Sequence, residues 1–437
     1  MAQLWSSGAR AVGWTLVGAA LTLVLGCQTD FAGPYPCNTG YASCTTPNSC
    51  ETSVLDDAQN CGSCGNACPQ GALCAMGACT APPQALATVL DSATLALNAS
   101  AVFFPAMTKG YGIEGIPKSG GTAYAVATPN AQQAGLMAPF AVDDARIYYL
   151  AQNFSSPGGP FLAASPAAPA SGAPPQPTVV GTFPTMNGSN FGALTALLRV
   201  GGTLFLAANS NGQYVVGSVP TSGGMVAPVA TFRGEPQSIT VDSTNVYAVV
   251  ASSGPCEIDS APVSGGTAST LIGQNVLNGP NSGGCPQGLA SDGTRLYWAT
   301  NYSAYPAGDN GNSPGECTVS VTSAPIGGGP ATTLSTVRAD EVPLQIATDG
   351  TNVYVATNRS LWRFPPGGGA PVRLAGNLDV TMTCGGSNFG SGGCSYVGGA
   401  CGGNSPVALA VDDTSAYLAI ASGQGVGQGG VLLKITK

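Results

Sequence analysis

Three adjacent acid pairs, Asp143 with Asp144, Asp340 with Glu341 and Asp412 with Asp413, come nearest by type and spacing to reaction chemistry. Two carboxyls flanking a glycosidic bond can serve as acid and base, so a carbohydrate hydrolase or a lyase is the enzyme class they admit. Adjacency in sequence alone does not bring two carboxyls to one substrate. The 437 residues contain no histidine, which removes Ser-His-Asp and Cys-His catalysis and every histidine-ligated metal or haem site. The loop from Asp309 to Glu316 is rich in oxygen donors but departs from the EF-hand spacing. Calcium is the single cofactor it suggests, and no resident cofactor is expected. The balance favours a non-enzymatic protein that binds or scaffolds. The acid-pair enzyme and a purely structural envelope component are the alternatives.

Composition narrows the fold before any element is placed. Hydrophobic residues make 44% of the chain and charged ones 8%, with 63 Gly and 34 Pro. That mixture suits many short strands and tight turns, because long amphipathic helices need more charge. The net charge of -8 and the scatter of only 13 Lys and Arg exclude nucleic acid as a partner.

Export is written at the start of the sequence. Arg10 is the only charge before an apolar run from Ala11 to Gly26, which is short for a membrane span. Val24, Leu25, Gly26 and Cys27 resemble the lipobox of bacterial lipoproteins, with Leu25 bulkier than usual. The resemblance implies a signal peptide over 1–26, lipid on Cys27, a tether over 27–36 and attachment to a membrane through that lipid. Gln28 after the cysteine points to the outer membrane or cell surface. An uncleaved anchor or a plain secretory signal is the alternative. Of the 15 cysteines, setting Cys27 aside leaves 14, an even number as an oxidising compartment favours.

Eight of those cysteines, Cys37, Cys44, Cys50, Cys61, Cys64, Cys68, Cys74 and Cys79, crowd into residues 37–80. So short a segment buries little core, and disulfides are the usual remedy, so the eight are expected to pair among themselves. Zinc is the alternative reading of the Cys61–Cys64 CxxC, disfavoured by the exported setting and the absent histidines. The string NCGSCGNAC followed by GALCAMGAC resembles a short cysteine module of myxobacterial-type surface lipoproteins.

Beyond residue 85 the sequence repeats. Five copies (VDDARIYYL, VDSTNVYAVV, SDGTRLYWAT, TDGTNVYVAT, VDDTSAYLAI) place Asp143, Asp242, Asp292, Asp349 and Asp412 at a turn, and Tyr148, Tyr247, Tyr297, Tyr354 and Tyr417 in the strand that follows. Two degenerate copies carry Asn98 with Phe103, and LLRVGGTLFL with Phe205. The aspartates are expected to cap their turns and the aromatics to fill gaps between sheets. A second half of most units (GIPKSGG, SVPTSGG, SAPVSGG, SAPIGGG, FPPGGG) reads as strand, Gly-Gly turn and strand. Seven such units predict an all-β fold, a β-propeller of seven four-stranded blades over 85–437 behind the small disulfide module. A β-sandwich is the runner-up architecture. The DGTRLYW copy resembles the YWTD propeller repeat, a six-bladed family, and the array is similar to TolB-like propellers. The seventh unit shows only three strands, so residues 85–90 are expected to pair with 431–436 and close the ring.

Strand order then sorts the connections by face. Asp turns and Gly-Gly turns share one face; the remaining connections share the other, with Cys256, Cys285, Cys317, Cys384, Cys394 and Cys401, which are expected in disulfides. Glu257, Asp379, Phe389 and Tyr396 also fall there. Loops on a rigid frame are where binding concentrates. Asp340, Glu341, Tyr302, Tyr305, Asp309 and Glu316 are therefore the candidate binding residues of a monomer, for a protein or polysaccharide ligand, and the acidic balance favours a cationic partner, a metal ion or a sugar polymer. The alternative role for the loop bridges is protection against proteolysis.

Overall fold

A computed structural model describes the chain from Cys37 onward, except residues 38–39, 48, 56, 70–71, 76, 90–93, 107–111, 128–138, 152–160, 169–176, 184–193, 211–212, 252–255, 274–276, 278–284, 287, 305–315, 339–340, 359, 377, 379–404 and 422–429. Of residues 75, 106, 210, 301–304, 316–317, 338, 405–407 and 421 the backbone alone is described. Cys27 and the expected signal peptide lie outside the described residues, as do Cys384, Cys394 and Cys401. No helix among the described residues is long and apolar enough to cross a membrane.

The first cysteine segment holds two small hairpins, β1 (Tyr41–Ala42) with β2 (Thr52–Ser53) and β3 (Leu73–Ala75) with β4 (Ala78–Thr80). Four bridges brace them: Cys37–Cys50, Cys44–Cys64, Cys61–Cys74 and Cys68–Cys79, with Cα separations of 5.2 to 5.4 Å. Loops of this length each remove about 3 kcal/mol of unfolded-state entropy on closure. The sulfurs of Cys61, Cys68 and Cys79 lie within 4.8 Å of one another, yet all three are in bridges, which leaves no thiolate for zinc.

The strand β5 (Gln84–Val89) leads from this module into seven sheets. Blade 1 is β6 (Ala96–Leu97), β7 (Ala101–Ala106), β8 (Gly112–Pro117) and β9 (Tyr124–Ala127). Blade 2 is β10 (Phe140–Val142), β11 (Arg146–Ala151), β12 (Phe161–Pro166) and β13 (Thr178–Thr182). Blade 3 is β14 (Leu194–Val200), β15 (Thr203–Ser210), β16 (Gln213–Pro220) and, past the two-residue β17 (Gly224–Met225), β18 (Ala227–Phe232). Blade 4 is β19 (Glu235–Val241), β20 (Asn245–Ala251), β21 (Glu257–Pro262) and, past β22 (Gly266–Thr267), β23 (Ser269–Ile272). Blade 5 is β24 (Leu289–Ser291), β25 (Arg295–Ala304), β26 (Glu316–Pro325) and β27 (Thr332–Arg338). Blade 6 is β28 (Pro343–Thr348), β29 (Val353–Thr357), β30 (Leu361–Phe364) and β31 (Val372–Ala375). Blade 7 is β32 (Ser405–Val411), β33 (Ser415–Ala421), β34 (Gly430–Thr436) and β5, which joins it antiparallel with Val89 opposite Gly430 and Gln84 opposite Lys434.

The first strands of all seven blades touch in sequence, and the first strand of blade 7 touches that of blade 1, so the ring is a closed seven-bladed β-propeller. Its core is seven seams rather than one centre, each a buried cluster shared by two consecutive blades. In β20, for example, Val246, Ala248 and Val250 face blade 3 while Tyr247 and Val249 face blade 5. A strand covered on both sides must be apolar at successive positions, which is why second strands read as runs rather than alternations. The Gly-Gly turns serve the seams as well. Gly223 (φ +109°) lies so close to the outer strand of blade 2 that a Cβ would sit 3.2 Å from Val180 O, and β17 adds a short parallel pairing to β13.

The cysteine module is docked on the propeller. Its strand β3 lies against β31, the outer strand of blade 6, and Leu73 packs into the cluster between blades 6 and 7.

Candidate functional site

On the turn face each aspartate does two jobs. Asp292 Oδ1 accepts the backbone N–H of Thr294 (2.7 Å) and Arg295 (2.8 Å), closing the turn, while Oδ2 accepts the Tyr297 hydroxyl at 2.6 Å. The same pair recurs at Asp143–Tyr148 (2.8 Å), Asp242–Tyr247 (2.9 Å), Asp349–Tyr354 (2.8 Å) and Asp412–Tyr417 (3.2 Å). Each tyrosine is buried in the seam with the following blade, so its hydroxyl needs an acceptor. The degenerate copies fit this rule: Asn98 and the Gly201–Gly202 turn are followed by Phe103 and Phe205, which carry no hydroxyl. Burial, reinforced by the aspartate, pushes the Tyr148 and Tyr247 hydroxyls up to about 12. Burial opposes ionisation of the aspartates too, but their donors outweigh it and hold Asp143, Asp242 and Asp292 below the usual carboxylate value.

Three of these carboxylates also receive a cation from the next blade. Arg199 Nε is 3.7 Å from Asp143, Lys118 Nζ is 2.8 Å from Asp412, and Lys437 Nζ bonds both Asp349 Oδ2 and Asp412 O. Lys118 and Lys437 thus flank blade 7, the blade assembled from both ends of the propeller segment. The first members of the Asp143 and Asp412 pairs are therefore engaged in turn and seam. They are not poised across an open site.

The opposite face carries the longer connections. There β25 and β26 form the longest ladder among the described residues, running out to Ala304 opposite Glu316. Tyr302 pairs with Thr318, and Thr318 with Arg338 on β27, so the register sets these three side by side at the outer end of blade 5. Tyr302 and Glu316 lie in this ladder, and Asp340 and Glu341 follow directly after β27. Tyr305, Asp309 and Asp340 lie outside the described residues, as do Asp379, Phe389 and Tyr396. The row also holds a cationic position, Arg338, which no motif or spacing in the sequence sets apart.

Glu341 is placed differently from expectation. It is 5% exposed and both oxygens are occupied: Thr357 Oγ1 (2.5 Å) and Trp362 Nε1 (3.1 Å) donate to Oε2, and Ser360 Oγ (2.7 Å) to Oε1. Arg373 sits 3.7 Å from Oε1 and stacks 5.8 Å from the Trp362 ring centre. This carboxylate pins the connection into blade 6 to the β29–β30 turn and presents nothing to a ligand. Cys256, just before β21, is bridged to Cys285 in the connection to blade 5, tying two loops of the same face. The Cys317 side chain lies outside what is described.

No family model matches the chain, and no curated protein matches it either. Solved structures similar to it include a nidogen/laminin complex (16% identity, 61% of this chain and 89% of that one, TM-score 0.38). Another is BamB from Moraxella catarrhalis (12% identity, 79% and 85% covered, TM-score 0.37). A third is a putative 6-phosphogluconolactonase from Bacteroides uniformis (14% identity, 72% and 87% covered, TM-score 0.43). These likenesses are of fold, and both enzymes and proteins of other kinds share it.

Proposed function

We propose that the chain is an exported lipoprotein, anchored through Cys27 at the outer membrane or cell surface, whose propeller binds or scaffolds a protein or polysaccharide without catalysing a reaction. The observation that carries the reading is the division of labour between the two faces. The turn face spends its aspartates, tyrosines and glycines on seams, whereas the other face extends the blade 5 ladder beyond the sheet and braces its loops through Cys256–Cys285. A rigid frame with ordered loop bases lowers the entropic cost of holding a ligand.

Binding is tested by immobilising the mature protein and measuring retention of purified envelope polysaccharide and of surface-exposed envelope proteins. Tyr302→Ala with Tyr305→Ala should lower retention, while Asp413→Ala, at an exposed position of the turn face, should not. Equal retention by both variants and the parent chain would sink the site. For the anchor, mass spectrometry of the mature protein should find an acylated Cys27, and Cys27→Ala should release the chain from the membrane. An unmodified first residue elsewhere would refute that part.

A further inference from the structure

Asp259, in the middle of β21, is the one buried acid with an unmet oxygen among the described residues: it is 1% exposed and Oδ1 has no hydrogen-bond partner. Its cross-strand partners are Ala248 and Thr270. Ala248 and Ala261 face blade 3, where they meet Val229, Ala230 and Phe232. Residues two apart on a strand share a face, so Asp259 lies with Ala261 in the seam between blades 3 and 4.

Few groups there can balance a charge. Glu257 is on the same face of the same strand, and the exposed Arg233 follows β18. Tyr214 packs into the same cluster, whereas Tyr247 of β20 faces blade 5. The strands β18, β22 and β23 carry no ionisable residue. The polar neighbour across the ladder is Thr270, whose Oγ1 donates to Glu257 Oε2 at 2.9 Å. A hydroxyl has one hydrogen. With that hydrogen directed to Glu257, Asp259 Oδ1 is left without a hydrogen-bond partner, which is costly for a buried carboxylate.

We propose that Asp259 stands protonated in the closed ring and that the seam between blades 3 and 4 loosens when Asp259 loses its proton. Burial pushes the Asp259 carboxyl up, with Glu257 adding to the rise and Thr270 and Arg233 opposing it. The folded chain therefore keeps a proton that the unfolded chain has lost. Stability is complete below the ordinary aspartate value of about 3.9 and declines as pH rises through the folded-state value. Because β21 begins beside the Cys256–Cys285 bridge, the loosening reaches the loop face.

The test is chemical denaturation of the disulfide-intact chain from about pH 4.5 to about 9, comparing the parent with Asp259→Asn, whose amide keeps the shape of the side chain but does not titrate. The parent folding constant should fall by up to about tenfold per pH unit within its window. Asp259→Asn should lack that fall and be the more stable protein above it. An equal slope in both, or no slope in the parent, overturns the proposal. Should the variant fail to fold, infrared spectroscopy of the parent gives an independent reading: a carboxylic-acid carbonyl band in the folded state at about pH 5 that vanishes on raising the pH. Its absence at that pH also overturns the proposal.

Discussion

Replacing Lys437 with methionine preserves the length of the side chain and removes its charge. Lys437 and Asp349 are 8% and 7% exposed, and the ammonium also bonds Asp412 O and lies 4.4 Å from the centre of the Tyr354 ring. Breaking a buried pair of this kind costs about 3 to 5 kcal/mol, because the partner is left charged and unpaired. Asp349 would retain the N–H groups of Thr351 and Asn352, the Thr351 hydroxyl and the Tyr354 hydroxyl. Those donors place the loss near the lower end, about 3 kcal/mol, or roughly a hundredfold in the folding constant. Asp349→Asn alone should cost a similar amount by stranding the ammonium. The double variant, with neither charge, should be far less destabilised than the sum of the two. Urea unfolding of the four proteins at neutral pH measures the coupling. Additivity within about 0.5 kcal/mol would mean that the pair behaves like an exposed one, and the seam argument would fail.

Tyr297→Phe should cost about 1 kcal/mol in the same assay, whereas Phe205→Tyr, beside a turn with no carboxylate, should also destabilise by about 1 to 3 kcal/mol. A neutral Phe205→Tyr would break the link between aspartate and tyrosine. In Asp349 and Asp412 burial opposes ionisation, but the lysines and turn donors outweigh it and hold both well below the ordinary value. Their contribution is present above about pH 4 and lost as pH falls through the depressed values, so Asp412→Asn should flatten the acid limb of a stability profile. Leu73→Ser should raise hydrogen exchange in β31 while the four module disulfides stay intact by mass spectrometry; unchanged exchange would argue that the module merely lies beside blade 6.

The repeat, the blade count and the second-half Gly-Gly turns were legible because a propeller writes each blade in local sequence, and turn chemistry is local. What stayed hidden was which side chains meet, within a unit and between units. The Asp–Tyr bond joins residues whose spacing becomes meaningful only with the hairpin register, so each side chain looked complete in its own role, cap or filler. Gly223 reads as a turn former, although its second duty is clearance for Val180 O in the neighbouring blade. Glu341 illustrates the limit for sites: a polar residue after a strand reads as a loop acid, and its burial depends on Thr357, Ser360, Trp362 and Arg373 arriving from three other segments. Nothing in the spacing of six late cysteines singled out Cys256 with Cys285.

The docking of β3 on blade 6, while β5 belongs to blade 7, bears on mechanics. Tension applied to residues before the module meets two grips in series: the Leu73 contact on one blade, then the antiparallel ladder from Gln84 to Val89 on the next. The disulfide-laced segment between them extends little under load, since its bridges cap the chain length it can release. Pulling would thus peel the module from the rim before it strains the closure of the ring. The first event of stretching would be a small, reversible step, with the seven-bladed body still intact.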